Sequence, residues 1–455
     1  MSHPTVLNPA LQNEAFGKHL GMFAHPSGAH LTERTQALGA WLDLRAELNT
    51  WPYARTLQGR AGAEARLRSQ NGRLVEGINF GSNDYLGLAS HPDIVRAATA
   101  ALEEYGPHVA ASPMLQGNTA LGRDLERAVA DTLKTEHVLL FPTGWAAGFG
   151  TITGLVRPTD YVVIDQLAHA SLLQGTRAAT SSSFLFRHND AESLRHRLRK
   201  IRSRDTENAI LVVSEGLFSM DSDSPDLAAL QAACREHGAV LMVDVAHDFG
   251  ASGPDGTGQI GIQEMLGKVD LVMGSFSKSL ATNGGFLATH DRSVKQHLGI
   301  FGGSHMYSNG LSPVQAGVAL EALRIVRSPE GALLRARAFD NILRLRASFQ
   351  VRGIECLGQP SNIVPAMTGD ERIAKWTSGM LEESGLIVNL VEFPAVPRQQ
   401  ARFRFQVMAT HEPDQIDRAV DIFYRCLDKA RREPSPDPIS AGTGPGREER
   451  PVYKR

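Results

Sequence analysis

Between about residues 78 and 330, the sequence alternates between short apolar runs and longer amphipathic segments. Amphipathic segments at 192–201 and 226–236 have helical periodicity and separate neighbouring apolar runs. Short apolar runs without polar alternation are typical of strands buried on both faces, and their alternation with helices favours a parallel sheet. The sequence therefore predicts an α/β domain with a mainly parallel central sheet. Its predicted strands are Val138–Phe141, Tyr161–Ile164, Ile210–Ser214, Val240–Asp244, Leu271–Gly274 and Phe286–Thr289.

The regions on either side of this domain have different patterns. The N-terminal region starts with an irregular stretch rich in Gly, His and Pro, and then places apolar residues at helical spacing around Trp41 and Arg45. The C-terminal region has a long Arg-rich helical stretch, then strand-like pieces at 387–391 and 402–408, which predicts a smaller α+β domain. The predicted divisions are 1–77 (arm and helix), 78–330 (α/β domain), 331–431 (C-terminal α+β domain) and 432–455 (disordered tail).

Composition excludes several classes of partner. The chain of 455 residues is 42% hydrophobic and 21% charged, and its formal net charge is −2. It has no excess of positive charge for nucleic acid, and no uninterrupted apolar run reaches the roughly 20 residues that span a bilayer. Cys234, Cys356 and Cys426 are widely spaced and form no metal-type pattern. Together with the absence of a secretory signal, these features predict a cytoplasmic protein with reduced thiols and no metal site.

Two predicted strands end in side chains of opposite charge. Asp244 closes an apolar strand, and Lys278 follows the next strand in a hydroxyl-rich segment. One strand-crossover-strand unit separates them, so both can reach the crevice at the carboxyl edge of the sheet. Alone, Asp244 is equally compatible with a helix cap or ion pair, and a lone lysine after a strand is usually solvated. As a pair, they suit an aldehyde cofactor, because lysine forms the imine and a carboxylate keeps a pyridine nitrogen protonated.

Polar groups also follow other predicted strands. Thr143-Gly144-Trp145 lies between a strand and an apparent helix, where backbone N–H groups and the helix dipole can hold a phosphate, although an ordinary turn is the alternative. Ser275 is a second candidate phosphate ligand. His169 follows another strand and can stack on an aromatic ring, with a structural histidine as the alternative. A fourth strand end continues into polar residues at 214–221. This convergence of polar strand ends indicates a ligand site.

Taken together, these segments resemble the α-oxoamine synthase family of fold-type I pyridoxal-phosphate enzymes. Family members include 8-amino-7-oxononanoate synthase, 2-amino-3-ketobutyrate CoA ligase, 5-aminolevulinate synthase and serine palmitoyltransferase. The resemblance covers roughly residues 50–430, in order and at similar spacing. The matching segments are NFGSNDYLGL (79–88), RHND (187–190), EGLFSMD (215–221), VDVAH (243–247), SFSK (275–278), VPRQQARFR (396–404) and THE (410–412).

The resemblance implies a fold-type I transferase that binds pyridoxal 5′-phosphate (PLP). It implies that Lys278 is the Schiff-base lysine and catalytic base, and that Asp244 pairs with the ring nitrogen. It also implies that His169 stacks on the ring and that His247 and Ser219 bond its hydroxyl. The implied phosphate ligands are Gly144, Trp145, Ser275 and, from the other subunit, Ser308. The implied ligands of the amino-acid carboxylate are Asn83 and Arg404, the latter bidentate.

The resemblance further implies a reaction and an assembly. An α-amino acid would condense with an acyl thioester, either acyl-CoA or an acyl carrier protein, and lose CO2 to give an α-amino ketone and a free thiol. The enzyme would be a homodimer with shared active sites. Four positions depart from the family pattern and leave the identity of the substrates open: Pro113, Gly148, Val245 and Asp248.

Two other functions remain open from the sequence. An aminotransferase or aldolase-like enzyme would use the same lysine and aspartate, and both of the predicted carboxylate ligands would serve it equally well. The segment SNDYL (82–86) favours the synthase instead. A non-catalytic binding relative is disfavoured, because it would have no use for Lys278, Asp244, His169 and His247 together.

Overall fold

The computed structural model describes residues 14–432, so the predicted disordered tail (432–455) lies outside the described residues except for its first residue. The described residues group into two units: a large unit of residues 83–339, and a small unit made of residues 14–82 and 340–432. The division between the units at 339/340 falls inside one long helix, Pro329–Val351. The domain boundaries given by the sequence pattern stay predictions.

Both units combine strands and helices. The strands of the described residues are β1 (Thr56–Leu57), β2 (Glu64–Arg68), β3 (Leu74–Phe80), β4 (His137–Phe141), β5 (Tyr161–Asp165), β6 (Ser183–Phe186), β7 (Ile210–Glu215), β8 (Val240–Asp244), β9 (Leu271–Ser275), β10 (Gly285–Thr289), β11 (Ile363–Gly369), β12 (Leu386–Val391) and β13 (Ala401–Gln406). Their α-helices are α1 (Gln36–Glu47), α2 (Pro92–Tyr105), α3 (Ala120–Leu133), α4 (Gly144–Leu155), α5 (Ala170–Ala179), α6 (Ala191–Arg202), α7 (Leu227–Glu236), α8 (Gly258–Ile262), α9 (Arg292–Phe301), α10 (Gly303–Met306), α11 (Pro313–Val326), α12 (Pro329–Val351), α13 (Glu371–Glu383) and α14 (Pro413–Arg432).

The large unit is built on a sheet of seven strands within the described residues, in the order β4-β10-β9-β8-β7-β5-β6. The strands from β9 to β6 are parallel neighbours, and β10 is antiparallel to both β9 and β4. Successive residues of a central strand enter opposite cores: Met242 packs in one hydrophobic cluster and Val243 in the other. Burial on both faces explains the uninterrupted apolar runs. The predicted mainly parallel α/β sheet is confirmed.

The small unit contains a second sheet, in the order β1-β2-β3-β12-β13-β11 among the described strands. Its only parallel pair in this part of the chain is β3 with β12; the other neighbours are antiparallel. Two of its strands and the start of a third come from the stretch that the sequence pattern describes as an arm and a helix. In β2, Ala65 and Leu67 are buried while the charged residues that alternate with them are exposed, as expected for a strand with one solvated face.

The predicted N-terminal helix is present as α1, and it buries a cation in the small unit. Arg45 is fully buried, and its Nη1 lies 3.1 Å from Glu392 Oε1. Lys375 Nζ lies 3.4 Å from the other oxygen of the same carboxylate. The guanidinium carbon of Arg45 is 5.1 Å from the Trp41 ring and 5.0 Å from the Trp51 ring. Two aromatic faces and a carboxylate thus compensate for the lost hydration of this arginine.

Across residues 14–432, no helix is long and apolar enough to cross a membrane. The same residues contain no cluster of His, Cys, Asp or Glu arranged to hold a metal ion.

Candidate active site

The acid and the lysine singled out by the sequence lie on neighbouring strands. Asp244 is the last residue of β8, and Lys278 lies three residues beyond the end of β9. The two strands are parallel and pair Asp244 with Met273, so both residues lie at the carboxyl edge of the sheet. Burial raises the pKa of Asp244, and Lys278 and, to a lesser extent, His169 oppose that rise. The structure therefore brings the three side chains into one electrostatic cluster.

His169 is held at both its side chain and its backbone. It is the residue before α5, where its Nδ1 accepts from the backbone N–H of Ser171 and lies 2.9 Å from the Ser171 hydroxyl. Its own backbone N–H donates to Glu215 Oε1 at 2.5 Å. Its ring centroid is 6.2 Å from that of Trp145, with the two planes at 75°. The ring is thus fixed beside the start of α4.

The predicted phosphate turn forms between β4 and α4. Thr143 caps the helix by accepting from Ala146 N at 3.0 Å, which leaves the first backbone N–H groups of α4 directed out of the helix. A Cβ on Gly144 would lie 2.6 Å from Ser275 Oγ, so this serine can approach the turn only because position 144 is glycine. Ser275 Oγ also lies 2.8 Å from the hydroxyl of Ser277. Amide and hydroxyl donors therefore converge here.

His247 is joined to a second candidate residue through a tyrosine. The hydroxyl of Tyr85, a fully buried residue, lies 2.8 Å from His247 Nδ1 and 3.4 Å from Asn83 Oδ1. Ser219 lies in the turn after β7, and Ser308 lies in a bend after α10. Their predicted contacts with PLP stay predictions.

Arg404 lies in the small unit, in the middle of β13 and opposite Pro365 and Asn389 in the neighbouring strands. With its amide oriented to satisfy its neighbours, Gln406 accepts from Nε and Nη2 of Arg404 at 3.0 Å. That contact holds the guanidinium in place within its own sheet. Because the arginine belongs to the small unit, its predicted role beside Lys278 stays a prediction.

Two groups near the site are not assigned a role by the sequence pattern. Glu215 closes β7 directly opposite Asp244. His188 lies between two carboxylates, with Nδ1 2.9 Å from Asp165 and Nε2 2.9 Å from Asp223. Burial acts to lower the pKa of His188, but the bonds to both carboxylates outweigh it and raise the pKa to about 10. Asp165 and Glu215 each come directly after a predicted strand, and this position is the sequence signal that could have identified them.

The side chains and turns of the large unit fit PLP. The start of α4 and the Ser275 hydroxyl offer donors for a phosphate, and the glycine at 144 keeps space between them. Asp244 is a buried acid beside Lys278, which suits a protonated ring nitrogen and a lysine that binds an aldehyde. His169 supplies a flat ring next to these groups.

Comparisons with known proteins identify the family of this chain. Residues 75–423 match the family model described as aminotransferase class I and II. A serine palmitoyltransferase of Sphingobacterium spiritivorum is 34% identical over 407 residues, which cover 90% of this chain and 99% of that protein. An 8-amino-7-oxononanoate synthase of Geobacter sulfurreducens is 36% identical, over 82% of this chain and 93% of its own length.

A solved structure gives the same result at the level of the fold. The serine palmitoyltransferase of S. paucimobilis, with PLP and myriocin bound, superposes with a TM-score of 0.81 at 29% identity, and the match covers 88% of this chain and 99% of that one. Fold and sequence similarity agree. The chain belongs to the aminotransferase class I and II family and, within it, to the PLP-dependent acyltransferases of the α-oxoamine synthase family.

Proposed function

We propose that the protein joins an α-amino acid to an acyl thioester with loss of CO2. The products would be an α-amino ketone, CO2 and a free thiol. The observation that carries this proposal is the cluster of Asp244, Lys278 and His169 at the carboxyl edge of the sheet. The names of the relatives, serine palmitoyltransferase and 8-amino-7-oxononanoate synthase, favour this chemistry over transamination.

Bound PLP would supply an electron sink for charge that develops at the α-carbon. Lys278 would bind PLP, accept the α-proton as a base and return a proton to the same carbon after CO2 leaves. The Asp244 carboxylate would keep the ring nitrogen protonated, which is what an electron sink requires. His169 would cover one face of the ring and exclude water from it.

Asn83 and Arg404 would bind the amino-acid carboxylate, the arginine through two parallel N–H bonds.

In the balanced reaction, the α C–H bond breaks, a carbon–carbon bond forms to the thioester carbonyl, and the C–S bond breaks. The thiolate takes up a proton, the carboxylate carbon leaves as CO2, and the α-carbon is reprotonated.

A substrate panel tests the reaction class. Purified protein loaded with PLP is incubated with glycine, alanine or serine and with a series of acyl-CoA thioesters or an acylated carrier protein. We expect release of free thiol and a ketone of matching mass, and we expect neither from the Lys278→Ala control. A stoichiometric keto acid without thiol release would establish an aminotransferase instead. A panel that yields no product and no spectral change with any amino acid would favour a binding relative.

We also propose that the enzyme acts as a homodimer in which Ser308 of the partner subunit reaches the phosphate. Tyr307, next to this serine, is 86% exposed in the single chain, which leaves room for a second copy. Sedimentation should give twice the mass of one chain. Mixing the inactive Lys278→Ala subunit with the weakened Ser308→Ala subunit should restore activity. In each hybrid dimer, one site then has Lys278 from one subunit and Ser308 from the other. A monomer, or mixing without recovery, would contradict shared sites.

A further inference from the structure

Three neighbouring strands of the large unit end in buried carboxyl side chains. β5 ends at Asp165, β7 at Glu215 and β8 at Asp244, and the side chains are between 0% and 5% exposed. Glu215 and Asp244 are direct partners in the parallel pairing. Buried acids at this spacing repel one another, so each needs either a cation or a proton.

Two of the three acids have cations. Asp165 has the imidazole of His188 at 2.9 Å and also accepts from two backbone N–H groups. Asp244 has the positive charge of Lys278 close by, and it accepts from the N–H of Ala246 at 2.8 Å. Each of these two carboxyl groups therefore has a basic side chain close to it.

Glu215 has a different environment. Its hydrogen-bond donor is the backbone N–H of His169, not a cation. Burial is the largest cause that raises the pKa of Glu215 well above its usual range, and repulsion from Asp244 comes next. The opposing influence of Lys278 is weaker than either. Asp165 adds further repulsion.

We propose that Glu215 is a positioning residue that carries a proton, fixes His169 by accepting its backbone N–H, and leaves Asp244 as the charged acid of the pair. The inference rests on the proposed function, since it concerns how the same site is prepared for PLP. A second anion beside Lys278 would stabilise its ammonium form. A neutral Glu215 avoids this, so the lysine amine can lose its proton more readily and act as a base.

The isosteric variant Glu215→Gln separates this proposal from a merely structural role. Glutamine keeps a carbonyl oxygen for His169 N–H and is neutral at every pH. If Glu215 is already neutral, the PLP absorption and its dependence on pH should be unchanged in Glu215→Gln. A change of one pH unit or more in that profile would show that the wild-type residue is an anion, and would overturn the proposal.

Infrared difference spectra of the PLP-free protein provide a readout that needs no turnover. Wild type minus Glu215→Gln at neutral pH should show the carbonyl stretch of a protonated carboxylic acid. Carboxylate bands in its place would overturn the proposal. Asp248→Asn is the matched control, because it removes a different buried acid, whose side chain packs against Gly216, and should leave the Glu215 band in place. Should the glutamine variant fail to fold, Glu215→Asp must shift the same band.

Glu215→Ala tests the bond to His169. Without an acceptor, a buried backbone N–H is left unsatisfied, and PLP should be retained about tenfold more weakly than by wild type or Glu215→Gln. Retention equal to that of wild type would overturn the positioning role. Because neither spectra nor retention involve a thioester, these results can fail while the substrate panel succeeds, and the reverse also holds.

Discussion

The Asp248→Asn variant should become more stable relative to the wild-type protein as the pH rises. Asp248 is fully buried, and its Oδ2 accepts from Gln259 N at 2.7 Å. Its Oδ1 has no hydrogen-bond partner within residues 14–432. Gly216 and Gly258 lie so close that a Cβ on either would come within 2.6 Å of the carboxylate. Among the described residues, the donors near a charged Asp248 are backbone N–H groups, and no ion pair offsets its charge.

The size of the expected change in stability follows from the pKa of Asp248. Burial, helped by repulsion from Asp244, raises the pKa of Asp248 from 3.8 to about 7. For an acid whose pKa is higher in the folded state, stability is fully present below the unfolded pKa and is lost as the pH rises through the folded pKa. Since one pKa unit corresponds to about 1.36 kcal/mol, the loss between pH 4 and pH 8 is about 4 kcal/mol. Asparagine does not titrate and escapes this loss.

Urea unfolding of both proteins at matched pH values between 4.5 and 8 measures the effect. At low pH, the variant should be less stable by about 1 kcal/mol, because its amide N–H2 replaces an oxygen that has no donor or acceptor opposite it. The difference should then move in favour of the variant by about 1.4 kcal/mol per pH unit and level off near pH 8. Asp43→Asn, on an exposed position of α1, is the control and should show no such trend. Parallel stability curves for wild type and Asp248→Asn would refute the assignment of a buried, proton-binding Asp248.

Two further substitutions test other parts of the account. Glu392→Gln should lower the free energy of unfolding by about 3–5 kcal/mol in urea, because Arg45 and Lys375 would keep buried charges without a carboxylate; an effect below 1 kcal/mol would contradict a buried ion pair. Arg404→Lys should raise the KM for the amino acid by about tenfold or more, because lysine cannot make the bidentate bond, with less effect on the KM for the thioester; equal changes in both KM values would argue against carboxylate binding.

The large sheet was predictable because its chemistry is local. Strands buried on both faces must be apolar throughout, so β7, β8 and β9 are visible as runs that stop where polar residues begin. The same reasoning identifies Asp244 and Lys278 as neighbours, since parallel strands end at one edge. Strand β6 is not visible in this way because Ser183 and Phe184 at its start are exposed at the edge of the sheet.

Other features depend on pairings between distant segments. Strand β3 pairs with β12, about 300 residues later, and no local pattern in either segment specifies that partner. The direct opposition of Glu215 and Asp244 requires the strand register, which the sequence alone does not supply. Asp248 stands out in the sequence as a departure from the family pattern, but its lack of a cation becomes visible only once its surroundings are known.

The central claim is that PLP is bound covalently at Lys278, beside the acid that holds its ring nitrogen. Borohydride reduction of the PLP-loaded protein, followed by proteolysis and mass spectrometry of the peptides, locates the attachment directly. We predict one pyridoxyl group per chain, on the peptide that contains Lys278. Attachment to a different lysine, or recovery of that peptide without the added mass, would contradict the account.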